Sequence, residues 1–285
     1  MIISVASGKG GTGKTTISVN LALSINGGVQ FLDCDVEEPN AHIFLKPEIK
    51  QTKKVFIPVP EIDEEKCTYC GRCREVCAYN AIAVIKETEG KKGSILVFSN
   101  LCHGCGSCSY FCPEGAIREV NKEIGEIEIG TSGAIQFIHG RLNIGEAMAP
   151  PIIRQIKKYI NPTRTVVIDA PPGTSCPVVE TIKRSDFCLL VTEPTPFGLN
   201  DLTLAVEVLR KLKVPFGVVI NRSDLGNEKT DEYCKKENIP ILMHIPFKKE
   251  IAIAYSKGEP IVKTFPKYRK DFEELFNKIK DGKLN

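Results

Sequence analysis

Eight cysteines fall into two runs of identical spacing, Cys67-x2-Cys70-x2-Cys73-x3-Cys77 and Cys102-x2-Cys105-x2-Cys108-x3-Cys112. Four soft thiolates at these intervals suit an iron–sulfur cubane, because the two-residue gaps let three sulfurs converge from one tight loop. Zinc also takes Cys-x2-Cys pairs, but a complete four-cysteine run, given twice, fits cubanes better. Nearer the N-terminus, Gly8-Lys9-Gly10-Gly11-Thr12-Gly13-Lys14-Thr15 fits the pattern G-x-x-x-x-G-K-[ST]. A loop of this kind turns backbone N–H groups and a helix N-terminus toward a phosphate. Lys14 would contact the β- and γ-phosphates of a nucleotide, and the Thr15 hydroxyl would ligate Mg²⁺.

Both groups of residues need elements to hold them. Short β-branched apolar runs at 2–6, 29–32, 165–169, 187–192, 216–221 and 241–245 read as strands buried on both faces. Amphipathic stretches at 15–24, 152–160, 178–185, 200–212, 229–237, 248–256 and 268–279 read as helices. The alternation predicts an α/β fold with a doubly wound, mostly parallel sheet. The rhythm stops at Pro58-Val59-Pro60, and beyond it lies a repeat of period 35. Cys67, Cys70, Gly71, Cys73, Cys77, Ala81 and Ile82 recur as Cys102, Cys105, Gly106, Cys108, Cys112, Ala116 and Ile117. The expected organisation is a discontinuous nucleotide-binding domain, 1–57 plus 121–285, around an inserted α+β domain at 58–120. So small an insert would use its metal clusters as its core.

Composition narrows the setting. The 285 residues are 42% hydrophobic and 26% charged, an ordinary globular mixture. A net charge of +3 gives no sign of a nucleic-acid binder. No apolar run approaches the ~18 residues a membrane span needs, so membrane association is not expected. The N-terminus does not read as a signal peptide, and the 12 cysteines are therefore expected to be reduced thiols in a cytoplasmic protein.

The string Lys9-Gly10-Gly11-Thr12-Gly13-Lys14-Thr15-Thr16 resembles the deviant Walker A motif of the MinD/ParA/Mrp/nitrogenase-iron-protein class of ATPases. The resemblance, which covers essentially the whole chain, implies an ATP-dependent homodimer in which Lys9 reaches the partner's phosphates in trans. Phe31-Leu32-Asp33-Cys34-Asp35 resembles the family's switch I, implying that Asp33 helps hold the Mg²⁺ shell and Asp35 positions the attacking water. Val166-Val167-Ile168-Asp169 resembles the Walker B strand, which places Asp169 in the same shell. Asn221-Arg222 stands where family members read adenine with an asparagine amide. The cysteine runs are bacterial-ferredoxin motifs. That likeness gives each cluster its fourth ligand from the other run: Cys67, Cys70, Cys73 and Cys112 for one [4Fe–4S] cluster, and Cys102, Cys105, Cys108 and Cys77 for the second. Gly71 and Gly106 would allow close backbone approach and N–H donation to sulfur. The first run departs from the motif, ending Cys77-Ala78 where the second has Cys112-Pro113.

Four cysteines lie outside the repeat. Cys188 reads as core, and Cys176, seven residues beyond Asp169, stands where the nitrogenase iron protein carries a cluster ligand. The second ligand of that site has no cysteine counterpart in 140–145, and the Cys-x-x-Cys pair of Mrp-type carriers is also missing. The leading expectation is an ATPase whose nucleotide-dependent dimerisation gates electron transfer through two clusters to a redox or metallocluster client. The alternatives are an iron–sulfur or metal-cofactor assembly or carrier ATPase, and a MinD-like positioning ATPase under redox control.

Overall fold

The computed structural model describes residues 1–282 apart from Glu87 and Gly90. Those two positions, and 283–285, fall within the segments assigned above to the insert and the nucleotide-binding domain. The strands are β1 (Ile2–Ala6), β2 (Val29–Asp33), β3 (Glu48–Ile62), β4 (Ile82–Ile85), β5 (Ser94–Val97), β6 (Ile117–Ser132), β7 (Ile135–Leu142), β8 (Thr165–Asp169), β9 (Phe187–Thr192), β10 (Phe216–Asn221) and β11 (Ile241–Ile245). The helices are α1 (Lys14–Ser24), α2 (Ala41–Leu45), α3 (Arg72–Glu75), α4 (Ser107–Tyr110), α5 (Ala149–Lys157), α6 (Cys176–Ile182), α7 (Pro196–Leu212), α8 (Lys229–Lys236), α9 (Lys249–Ser256), α10 (Ile261–Thr264) and α11 (Pro266–Lys280).

One sheet has the order β11-β10-β9-β1-β8-β2-β7-β6-β3. From β11 to β7 every neighbouring pair is parallel. β6 and β7 are joined by a two-residue turn, which only antiparallel neighbours can accommodate. All six strands expected from sequence are present. Of the five that were not expected, β3, β6 and β7 lie together at one end of this order, and β4 and β5 pair apart from it. Pro58 and Pro60 fall inside β3. An edge strand tolerates them because a proline lacks only an N–H that need not pair.

The chain divides into two compact units, one of 1–52, 127–141 and 152–285, the other of 53–126 and 142–151. In the first, β2 and β9 are buried at every residue, and α1 packs beneath the sheet with Ile17, Val19 and Leu21 inside. Asn20 is buried in that helix, and its Oδ1 accepts from the Val262 N–H at 2.9 Å, fixing α10 to α1. Helices α7 and α11 begin earlier than expected, at Pro196 and Pro266. Proline is at home in the first helical turn, where its missing N–H has no partner to lose; Thr195 caps α7 by accepting from Gly198 N at 3.0 Å. In the second unit, β4 and β5 form an antiparallel pair, and the short helices α3 and α4 follow Gly71 and Gly106. Among the described residues, no helix is long and apolar enough to cross a membrane.

Candidate functional site

The carboxyl ends of five parallel strands, β1, β2, β8, β9 and β10, carry the loop and the side chains singled out above. This is the edge of an α/β sheet where ligands bind. β1 runs into the 7–13 loop, β2 ends on Asp33, β8 on Asp169 and β10 on Asn221. The cleft in front of them measures about 410 Å³. Its lining includes Lys9, Gly10, Gly11, Gly13, Lys14, Thr15, Thr16, Asp35, Asn221 and Arg222. Gly8 stands outside that lining: a side chain on it would come within 2.2 Å of the Asp201 carbonyl. Gly13 is required twice over. Its φ is +88°, and a Cβ there would lie 2.4 Å from the Asn221 amide nitrogen.

Lys14 lies among carboxylates, 3.0 Å from Asp169 and 3.5 Å from Asp35. The Thr15 hydroxyl donates to the other Asp169 oxygen at 2.6 Å. Asp33 accepts from the backbone N–H groups of Asp35 and Ala41, both at 3.1 Å. Burial would lower the Lys14 pKa, but Asp169, Asp35 and Asp33 outweigh it and raise it. Burial, and then the Asp169 charge, pushes the Asp33 carboxyl up to about 8. Burial also pushes Asp35 up to about 6, against the pull of Lys14. Three carboxyl groups thus share one ammonium, a surplus of negative charge that a divalent cation beside Thr15 would neutralise. The buried Thr12 hydroxyl has no hydrogen-bond partner, which leaves a donor free in the phosphate loop.

Lys9 points to Glu193, 3.8 Å away, and the same carboxylate takes the Arg222 guanidinium at 2.6 Å. The Asn221 amide donates to the Thr12 carbonyl at 2.8 Å, so in this structure it ties β10 to the loop. Glu193 was not picked out from the sequence. Its place one residue beyond β9, on the ligand edge of the sheet, is the signal that could have found it. The cleft wall formed by Phe247, Ile251 and Tyr255 was missed too, because apolar residues after β11 read as ordinary packing.

The eight repeat cysteines divide between two smaller cavities. Cys67, Cys70, Cys73 and Cys112 line one, and Cys77, Cys102, Cys105 and Cys108 line the other. Backbone N–H groups point at sulfur in both: Ala81 to Cys77 and Ala116 to Cys112 at 3.3 Å, and Gly104 to Cys102 at 3.4 Å. Gly71 and Gly106 have φ of +86° and +73° and turn the chain into α3 and α4. Among the described residues, no three His, Cys, Asp or Glu side chains meet closely enough to hold a single metal ion. Sulfurs spread around a cavity, with N–H donors behind them, suit a multi-iron cluster. Of the remaining cysteines, Cys34, Cys188 and Cys234 are buried, and Cys176 is exposed at the start of α6.

The family model of the CobQ/CobB/MinD/ParA nucleotide binding domain matches residues 3–261, and the chain belongs to this family of P-loop ATPases. An uncharacterized protein of Methanocaldococcus jannaschii is 35% identical, over 98% of this chain and 97% of its own length. An iron-sulfur cluster carrier protein of Methanococcus maripaludis is 25% identical, over 97% of this chain and 83% of its own. In fold the chain resembles the cell division ATPase MinD of Pyrococcus furiosus, with a TM-score of 0.58 at 21% identity over 98% of both chains.

Proposed function

We propose that this chain is an ATP-hydrolysing iron–sulfur protein of the metallocluster assembly and carrier type, serving a client protein through two [4Fe–4S] clusters held by its cysteine repeats. The division of eight cysteines between two cavities, four to each, carries the reading. The likeness, over 97% of this chain, to a protein named as an iron–sulfur cluster carrier favours assembly over spatial positioning. The domain at 58–120 would hold the clusters and the rest of the chain the nucleotide.

In the nucleotide cleft, Lys14 would exchange its carboxylate partners for the β- and γ-phosphates, with the loop N–H groups around them. Thr15, Asp33 and Asp169 would hold Mg²⁺, whose chemistry is to neutralise charge on the phosphate oxygens. Asp35, raised toward neutrality, is suited to accept a hydrogen bond from the attacking water and orient it. Lys9 would leave Glu193 and contribute its charge across an ATP-dependent homodimer, as an arginine finger does. Asn221 and Arg222 line the same cleft and would face the base.

A second reading, electron delivery by resident clusters, is favoured by the N–H donors to sulfur and by complete four-thiolate sets that leave no labile position. One experiment separates the two. Anaerobic holoprotein is mixed with an apo-acceptor and Mg-ATP, and iron is followed on both proteins after separation. Iron arriving on the acceptor supports the carrier role. Full retention, with the acceptor reduced instead, supports electron delivery. Retention with no effect on the acceptor, in ATP or ADP, defeats both.

A further inference from the structure

The two cysteine cavities are built from equivalent positions of one repeat, and they differ in charge. Over Gly71, beside the first set, the nearest neighbour is Lys86, whose Cε lies 3.6 Å from where a Cβ would stand. Over Gly106, the equivalent glycine beside the second set, it is Glu119, whose Oε1 lies 2.8 Å from the corresponding point. The sequence repeats the contrast. Arg72 and Arg74 in the first run are Ser107 and Ser109 in the second, and Val84 in the first cavity is Glu119 in the second. Countercharges are present on the first side: Glu114 lines that cavity, and Glu75 pairs with Arg72 at 3.2 Å. With these counted, Lys86 and Arg72 balance Glu114 and Glu75 at the first site, while Glu119 leaves the second with an anion.

Adding an electron to a cubane adds a negative charge, so a nearby cation favours reduction and a nearby anion opposes it. The N–H donors work the other way, since two of the three serve the second set. Weak N–H···S contacts carry partial charges only, and full charges of opposite sign over equivalent glycines outweigh them.

We infer that Lys86, opposed by Glu119, sets the order of reduction. The centre held by Cys67, Cys70, Cys73 and Cys112 takes an electron first, and the one held by Cys77, Cys102, Cys105 and Cys108 takes it second. The inference rests on the reading that both sets hold [4Fe–4S] clusters. A low-potential one-electron donor would reduce the second centre. That centre would lose the electron to the first, and the first would lose it to a one-electron acceptor, so each step moves one electron and no proton.

The test is a potentiometric titration of the anaerobic holoprotein, followed by electron paramagnetic resonance and by paramagnetically shifted cysteine proton resonances assigned to each set. Two waves are expected, the higher belonging to the first set. Glu119→Gln should raise only the lower wave, Lys86→Gln should lower only the higher one, and the double variant should bring them together. Both side chains are exposed, and the iron content of each variant checks that its clusters are intact. About eight irons with a single wave, or with the reverse assignment, overturns the inference and leaves the cluster reading standing. Iron-free protein defeats the cluster reading and the inference with it.

Discussion

Around Val5, Phe31 and Phe137 the sheet unit closes an apolar interior to which α1 and α11 contribute Leu21, Phe272 and Leu275. The smaller unit buries fewer, among them Ile57, Tyr69, Ile82 and Ile124, and turns other large apolar side chains outward: Ile85 is 65% exposed, Leu96 56% and Tyr110 83%. Beside parts of β3 and β6 it holds the β4–β5 ribbon, whose two strands alone are too few for independent stability in water. The sheet unit carries its own hydrophobic stabilisation, and on the proposed function the cysteine unit would draw more of its stability from what its thiolates bind.

The largest effect should come from removing the metal. Cys70→Ser with Cys105→Ser, one cysteine from each cavity, should expose residues 53–126 to rapid hydrogen exchange while 1–52 and 165–221 keep their protection and nucleotide binding. If both units lose protection together, their stabilities are not separate.

Next in size, Lys14→Ala should lower ATPase activity on the order of 10²–10³-fold, as loss of a transition-state charge contact does. The cluster absorption should not change. A variant that retains its rate would remove Lys14 from the site.

A smaller effect concerns pH. Asp33 has its carboxyl raised from 3.8 to about 8, so the folded chain binds this proton more tightly than the unfolded one. The stability this confers is present in full at low pH and is lost as pH rises toward 8, at no more than about 1.4 kcal/mol per pH unit. Asp33→Asn should flatten that slope in nucleotide-free protein, as measured by Tm between pH 6 and 8. Mg-ATP should flatten it in the native protein, because a cation beside the site favours the carboxylate. An unchanged slope in the variant would show that another group sets it.

The smallest change is expected from Glu193→Gln, which releases the partly exposed Lys9 and Arg222 from a buried carboxylate. Because both cations keep contact with solvent, each pair contributes about 1 kcal/mol. ATP-dependent association of two chains, read by sedimentation, should tighten by about fivefold at most. Weaker association would mean that Glu193 supports the dimer.

The parts of this molecule that repeat a buried pattern were readable in sequence. Continuous apolar runs such as Phe187–Thr192 read as interior strands. The glycine loop and the cysteine spacing are chemistry written locally. β6, Ile117–Ser132, was hidden because its burial is patchy along its length and its many charges imitate a loop. β3 was hidden by its prolines, acceptable only because it lies at the end of the sheet. Glu193 was hidden for another reason. Its role depends on bringing residues 9, 193 and 222 together, and no short-range pattern records that.

Native mass spectrometry of the chain purified without oxygen tests the central claim most directly, supported by iron and acid-labile sulfide analysis. The account predicts one dominant species carrying two [4Fe–4S] units, with eight irons and eight sulfides per chain, as two cubanes require. In Cys112→Ser the first unit should be lost or loosened and the second retained. A chain that carries zinc, or no metal, and still hydrolyses ATP and keeps residues 53–126 protected would contradict it.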